Sequence, residues 1–77
     1  MKACILRAPH TDKSVIARVL KAMKAHHGEA WEADRDGPES AITKRLKDTN
    51  LVITLGGDGT FLAGARLAAP RGIPLLG

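Results

Sequence analysis

The 77-residue sequence is poor in several residue types that define common protein classes. Its single cysteine, Cys4, cannot form an internal disulfide, so we expect a buried thiol in a reducing compartment. The only aromatic residues are Trp31 and Phe61, and tyrosine is absent. No Cys/His cluster has metal-ligand spacing, and no Ser/His/Asp set is present. These absences exclude a disulfide scaffold and give no indication of a zinc site or a hydrolase triad.

The sequence also lacks a long apolar run and a dense block of one charge. The first apolar run ends at Leu6, which is too short for a signal peptide or a membrane span, so we expect a cytoplasmic chain without membrane attachment. The net charge of +4 suits anionic ligands such as nucleotides. Because the basic residues are dispersed and no aromatic residues alternate with them, nucleic-acid binding is not expected.

Two familiar phosphate-binding motifs are absent. A Walker A loop needs a Gly-Lys pair, which occurs nowhere in this chain. The dinucleotide fingerprint G-x-G-x-x-G would begin at Gly57, but Leu62 stands where the third glycine belongs. Any phosphate chemistry must therefore use a different loop.

The chain does contain the pentapeptide GGDGT at 56–60, directly after the apolar run 51–55. Glycine has no Cβ, so the backbone can turn sharply there and lie close to a ligand. Thr60 is expected to open a helix whose free N–H groups and dipole favour anions. A carboxylate is repelled by phosphate, so Asp58 indicates a base or a metal partner, and a purely structural turn does not need three glycines around an acid.

Apolar spacing along the chain predicts alternating strands and helices. Continuous apolar strands that alternate with helices are typical of an α/β fold, a parallel sheet covered by helices. Since the chain stops directly after a predicted strand, we expect residues 1–77 to be a truncated, partial nucleotide-binding α/β domain. The predicted strands are 3–6, 30–33, 51–55 and 73–76; the predicted helices lie between a cap at 11 or 12 and a stop at Gly28, at 40–47, and at 60–69.

Ligands of open α/β sheets bind beyond the carboxyl ends of the strands. This rule places the Gly-rich turn at the same edge as Arg7, His10 and Gly77. Arg66 is predicted to point away from that edge and to form a salt bridge with Asp48. An exposed sheet edge also favours self-association, so a homo-oligomer is expected.

The segment LVITLGGDGTFLAGARLAAPRGIPLLG at 51–77 resembles the NAD kinase family. The likeness covers GGDGT, the helix after it and the Gly-Ile-Pro-Leu-Leu-Gly tail, and it extends more weakly to the amino-terminal strand and helix. GGDGT alone is shared with diacylglycerol and sphingosine kinases, and phosphofructokinases have a similar GGDGS. Those kinases, and a non-catalytic nucleotide-binding module, are the alternative hypotheses. The longer helix and the tail favour NAD kinase.

The resemblance implies a complete enzyme that transfers the γ-phosphoryl group of ATP to the adenosine-ribose 2′-hydroxyl of NAD, giving NADP. Some relatives use polyphosphate as the donor, and Mg²⁺ or another divalent cation accompanies ATP. Asp58 would accept the proton of the attacking hydroxyl. The nucleotide-binding residues implied are Gly56, Gly57, Asp58, Gly59, Thr60 and Phe61.

The chain departs from the family pattern in two ways. Many relatives carry a basic residue where this chain has Ala63, so the polar ligand contact of that residue is not expected here. The family's β-rich C-terminal domain, with its Asn-Glu motif, is absent from the sequence. We therefore expect the chain alone to be inactive or to bind nucleotide only weakly.

Overall fold

The computed structural model describes all 77 residues, as four strands and three α-helices in alternation. None of the helices has both the length and the apolar character that crossing a bilayer requires. The elements are β1 (Lys2–Arg7), α1 (Lys13–Ala25), β2 (Glu29–Asp34), α2 (Glu39–Leu46), β3 (Leu51–Leu55), α3 (Asp58–Ala68), a 3-10 turn (Ala69–Arg71) and β4 (Leu75–Leu76).

All four strands are parallel and form one sheet in the order β2-β1-β3-β4. The central strand β1 pairs with β2 from Lys2 to Arg7 and with β3 from Ala3 to Arg7. Because the strands are parallel, their carboxyl ends meet at one edge, which we call the carboxyl edge. The predicted α/β class with a helix-covered parallel sheet is confirmed.

One face of the sheet packs against α2 and α3. Side chains alternate between the two faces of a strand, and this face carries Cys4 and Leu6 of β1. Gly64 lets α3 approach the sheet closely, since a Cβ there would lie 2.5 Å from the Thr54 methyl carbon. The buried cluster between the layers contains Cys4, Leu6, Trp31, Ile42, Leu46, Val52, Leu67 and Ala68.

The opposite face is covered by α1 alone. Ile53 of β3 borders a cavity of about 410 Å³ together with Val15, Val19 and Met23 of α1. Leu76 of β4 lies at the same cavity and is 56% exposed. The two faces are therefore unequally protected, and the side of β3 and β4 away from α3 is the more open.

Helix α1 begins and ends through local hydrogen bonds. The Asp12 side chain caps it by accepting from the Ser14 N–H at 2.8 Å, and this backbone hydrogen bond lowers the pKa of Asp12. At the other end the helix stops before Gly28, as predicted, and His27 adopts the left-handed conformation, with φ of 58°. The Gly28 N–H then donates to the Met23 carbonyl at 2.8 Å, which closes the helix.

The segment 29–40, the least informative part of the sequence, forms more structure than predicted. The possible strand at 30–33 is a six-residue strand, β2, because it pairs along the whole of β1. Trp31 anchors it: the indole N–H donates to Thr49 Oγ1 at 3.1 Å, and the Arg45 guanidinium lies 4.3 Å from the ring centroid. The predicted strand at 73–76 is shorter, at Leu75–Leu76.

The packing predicts different costs for two leucine truncations. Leu6→Ala removes a side chain with 0% exposure and should lower the free energy of unfolding by about 2–5 kcal/mol, because it leaves a cavity between the sheet and α2/α3. Leu62→Ala, at 63% exposure, should change it by no more than about 0.5 kcal/mol. Urea denaturation of both variants measures the difference, and equal effects would contradict this core assignment.

The buried thiol predicts a pH dependence at the alkaline end. Burial raises the pKa of Cys4 from 9.0 to about 12, so the unfolded thiol ionises first as the pH rises. The free energy of unfolding should therefore fall between these two values, and thiol reagents should react only on unfolding. Denaturation at about pH 8 and about pH 10.5 tests this, with Cys4→Ala as the control that lacks the thiol contribution. Rapid labelling of the folded chain would contradict it.

Candidate functional site

The Gly-rich turn lies at the carboxyl edge, between the end of β3 and the start of α3. Gly56 has φ of 151°, a backbone conformation that other residues rarely adopt. Gly57 is the N-cap of α3, and its carbonyl accepts from the N–H groups of Thr60 and Phe61 at 3.1 Å each. The helix therefore begins at Asp58, two residues earlier than predicted, with no side chain as its cap.

Thr60 differs from the other residues of the motif. It is 0% exposed, and its hydroxyl oxygen accepts from Arg35 Nη1 at 3.1 Å. The prediction that Thr60 opens the helix is wrong, because its N–H is already bonded to Gly57. Because it is buried, the Thr60 side chain is not accessible to a ligand in the folded turn. The other residues of the predicted set are all exposed: Gly56, Gly57, Asp58, Gly59 and Phe61.

The three glycines are needed for different reasons. A Cβ at Gly56 would lie 2.6 Å from Thr60 Oγ1, and one at Gly59 would lie 3.3 Å from Arg35 Nη1. A Cβ at Gly57 would meet nothing within 4 Å. The protein's own packing thus accounts for Gly56 and contributes at Gly59, whereas only Gly57 faces open space where a ligand can approach the backbone.

Four successive N–H groups in the turn have no partner in the protein. The N–H groups of Gly56, Gly57, Asp58 and Gly59 donate neither to the backbone nor to a side chain. An α-helix leaves its first N–H groups free in this way, and together with the helix dipole they favour an anion. The available donors are therefore at 56–59, and the Thr60 N–H, which the sequence suggested, is not among them.

The loop after β1 closes one side of the turn. The Ala8 N–H donates to the Leu55 carbonyl at 2.9 Å, and Thr11 Oγ1 donates to the Ala8 carbonyl at 2.8 Å. Arg7 turns the other way: its guanidinium pairs with Glu32 at 3.1 Å and Asp34 at 3.5 Å, both on β2. Arg7 is thus at the predicted edge, but its charge is compensated there and directed away from the turn.

The other predicted members of the edge are His10 and Gly77. His10 is exposed in the loop that follows β1. Gly77 lies beside Phe61, since a Cβ at Gly77 would be 2.9 Å from the Phe61 ring. Phe61 itself is 43% exposed, which leaves part of an aromatic face open next to the Gly-rich turn.

Arg35 is a residue of this region that the sequence did not single out. It follows β2 in the turn Asp34-Arg35-Asp36-Gly37, and a cavity of about 140 Å³ is lined by Arg35, Ala63 and Arg66 among others. Arg66 forms no ion pair within 4.0 Å, so its predicted bridge to Asp48 is wrong. The position of Arg35 directly after a strand that ends at the carboxyl edge was the available signal.

The acidic component of the turn is Asp58 alone. It lies exposed in the first turn of α3 and forms no ion pair within 4.0 Å. No group of three or more His, Cys, Asp or Glu side chains is arranged to hold a metal ion. The site thus offers a free carboxylate beside four free N–H donors, which can accept a proton and hold an anionic group.

The structure is a parallel α/β domain with a Gly-Gly-Asp-Gly-Thr turn at the carboxyl edge, between a strand and a helix. The chain belongs to the family of ATP-NAD kinase N-terminal domains, which it matches over residues 5–77. The match favours the NAD kinase hypothesis over the lipid kinase and phosphofructokinase alternatives.

Curated relatives match the chain over short stretches of their own length. An NAD kinase of Heliobacterium modesticaldum is 52% identical over 40 residues, which cover 52% of this chain and 14% of that protein. NAD kinase 1 of Streptomyces avermitilis is 36% identical over 67 residues, which cover 79% of this chain and 19% of that protein. The chain therefore spans less than a fifth of either relative. A search of solved structures found no match.

Two glycine substitutions should differ in their effect on stability, because Gly56 has a strained, crowded position and Gly57 an open one. Gly56→Ala places a side chain at φ of 151° and against Thr60, so the free energy of unfolding should fall by more than about 1 kcal/mol. Gly57→Ala, whose φ of −87° is ordinary, should change it by less than about 0.5 kcal/mol. Chemical denaturation compares the two, and a larger loss for Gly57→Ala would contradict the described turn.

Proposed function

We propose that this chain forms the part of an NAD kinase that carries the proton acceptor and dinucleotide contacts of the active site. The complete enzyme would transfer the γ-phosphoryl group of ATP to the 2′-hydroxyl of the adenosine ribose of NAD, giving NADP. The observation that carries the proposal is the free, exposed carboxylate of Asp58 in the Gly-rich turn of a chain that belongs to this family.

Asp58 would accept the proton of the attacking ribose hydroxyl. An alcohol must lose its proton as the new P–O bond forms, and a positioned carboxylate can accept it. Asp58 suits this role because no cation pairs with it and it lies at the edge where ligands of parallel sheets bind. Its place in the first turn of α3 fixes its backbone while leaving its carboxylate accessible.

The backbone of the turn would hold the dinucleotide. The free N–H groups at 56–59 can donate to phosphate or ribose oxygens, and the open space at Gly57 allows a ligand to approach them. Phe61 offers an exposed aromatic face for apolar or stacking contact with the ligand. Thr60 would contribute by supporting this turn from beneath, since its side chain is buried.

ATP or polyphosphate is the proposed phosphoryl donor, with Mg²⁺ or another divalent cation bound to its phosphates. Mg²⁺ commonly binds through substrate phosphates and one or two carboxylates rather than in an all-protein cage. This chain has no group of three or more possible metal ligands, so the cation would be held mainly by the phosphates of the donor, and the Asp58 carboxylate would stay free to accept the proton. When bound, the cation would reduce the negative charge on the transferred group.

The remaining expectations belong to the complete protein. We propose that residues 1–77 are a partial nucleotide-binding domain and that a β-rich C-terminal domain, as in the family, completes the cleft. A cytoplasmic location and a homo-oligomeric assembly stay predictions.

Replacing the proposed proton acceptor tests the function. In the complete protein that carries this chain, Asp58→Asn should lower kcat for NADP formation from ATP and NAD by about 100-fold or more, because an amide cannot accept the proton. The KM for NAD should change much less, since the amide keeps the shape and some hydrogen-bonding capacity. A coupled assay that measures NADP gives both constants.

Asp48→Asn is the matched control for this substitution. Asp48 is also exposed, but it precedes β3 and so lies at the opposite end of that strand. The control should retain the activity of the unmodified protein. Undiminished activity of Asp58→Asn would refute the base assignment, and a complete protein that forms no NADP with either ATP or polyphosphate would refute the proposed function.

A further inference from the structure

We propose that Arg35 is a positioning residue of the Gly-rich turn, which acts through the Thr60 hydroxyl to fix the first turn of α3 and hence the direction of the Asp58 carboxylate. The catalytic consequence rests on the proposed kinase function. The positioning itself is a property of the folded protein and can be measured without activity. Arg35 lies outside the motif that carries the family resemblance.

A charged hydrogen bond links the two residues. Arg35 Nη1 donates to Thr60 Oγ1 at 3.1 Å, and the threonine is completely buried. A hydrogen bond from an ionised donor is stronger than one between neutral groups, and it gains further where water is excluded from the acceptor. This bond therefore constrains the rotamer of Thr60 and, through it, the backbone at the start of α3.

The link connects strands that are not neighbours. Arg35 follows β2 and Thr60 follows β3, while β1 lies between them in the sheet. Adjacent strands are roughly 4.8 Å apart, so the side chain bridges about two such spacings, which only a long residue can do. Its backbone is itself held, because the Arg35 N–H donates to the Arg7 carbonyl at 2.9 Å. Arg35 thus ties two separate strand ends together.

The glycines of the motif fit around this pair. A Cβ at Gly59 would be in tight contact with Arg35 Nη1, at 3.3 Å, and a Cβ at Gly56 would clash with the Thr60 hydroxyl, at 2.6 Å. Arg35 and Thr60 therefore fill the space beneath the turn on both sides of Asp58. An ordered turn follows from this packing even before any ligand arrives.

Arg35 acts on Asp58 indirectly. Its ion pair is with Asp36, at 3.7 Å, and no ion pair with Asp58 forms within 4.0 Å. A direct pair would compensate the carboxylate and weaken it as a proton acceptor. The indirect route through Thr60 leaves the carboxylate free while restricting where it can point, which is what a proton acceptor requires.

The test uses the complete protein that carries this chain, with the variants Arg35→Gln, Thr60→Val and the two combined. If Arg35 acts through Thr60, each single variant should lower kcat by about tenfold, because small displacements of a reacting group have large effects on rate. The double variant should be no worse than the poorer single one, since the second change removes a link already broken. The KM for NAD should change by less than about threefold.

Two further variants separate positioning from general destabilisation. Arg35→Lys keeps a long cationic donor and should restore part of the lost kcat. Arg71→Gln removes another arginine bound to α3, whose Nη1 donates to the Leu67 carbonyl at 2.8 Å, but at the far end of the helix. This control should keep the kcat of the unmodified protein. An equal loss in Arg71→Gln would overturn the proposal.

Hydrogen exchange gives a readout that does not depend on catalysis. In Arg35→Gln, the amides of Thr60 and Phe61, which donate to the Gly57 carbonyl, should exchange faster than in the unmodified protein, while those of β1 should not change. Unchanged exchange at Thr60 and Phe61, an undiminished kcat, or additive losses in the double variant would each overturn the proposal. If the unmodified protein forms no NADP, the proposed function fails, and the exchange result alone decides whether Arg35 positions the turn.

Discussion

The contact between Gly56 and Thr60 is the constraint on which the site depends. The chain leaves β3 with a positive φ at Gly56, and the Thr60 hydroxyl comes back beneath it from the first turn of α3. A side chain at Gly56 would meet both a strained backbone and this hydroxyl. In this tight turn the four N–H groups of residues 56–59 have no hydrogen-bond partner, and Asp58 is exposed to solvent.

The order of the strands determines what surrounds this turn. Because β1 lies between β2 and β3, the loop at Ala8 packs on one side, and Arg35 reaches across from β2 to bind Thr60. Arg7, in contrast, forms ion pairs with two acidic residues of β2. The carboxyl edge thus has two parts. At the ends of β1 and β2 the charges of Arg7 and its acidic partners compensate each other, whereas at the end of β3 the Asp58 carboxylate and the N–H groups of 56–59 are free.

Much of the fold followed from patterns that are local in sequence. The buried strand at 51–55 was predicted at its observed bounds, and Asp12 was one of two predicted caps for α1. Other features were missed where tertiary contacts overrode local preference. Helix α3 begins at Asp58 because the Gly57 carbonyl accepts two N–H bonds, and β2 is extended because β1 offers a full-length partner.

The sequence by itself determined the α/β class, the Gly-rich turn and the acidic residue within it, because apolar periodicity and the unique conformations of glycine act over a few neighbouring residues. Only the tertiary structure decided which glycines serve internal packing, that Thr60 is buried, and that Arg35 lies beneath the turn. The last of these features joins Arg35 and Thr60, which are 25 positions apart along the chain, and no local rule brings such residues together. They come together because parallel pairing aligns three strand ends at one edge, where a long cationic side chain can span the gap.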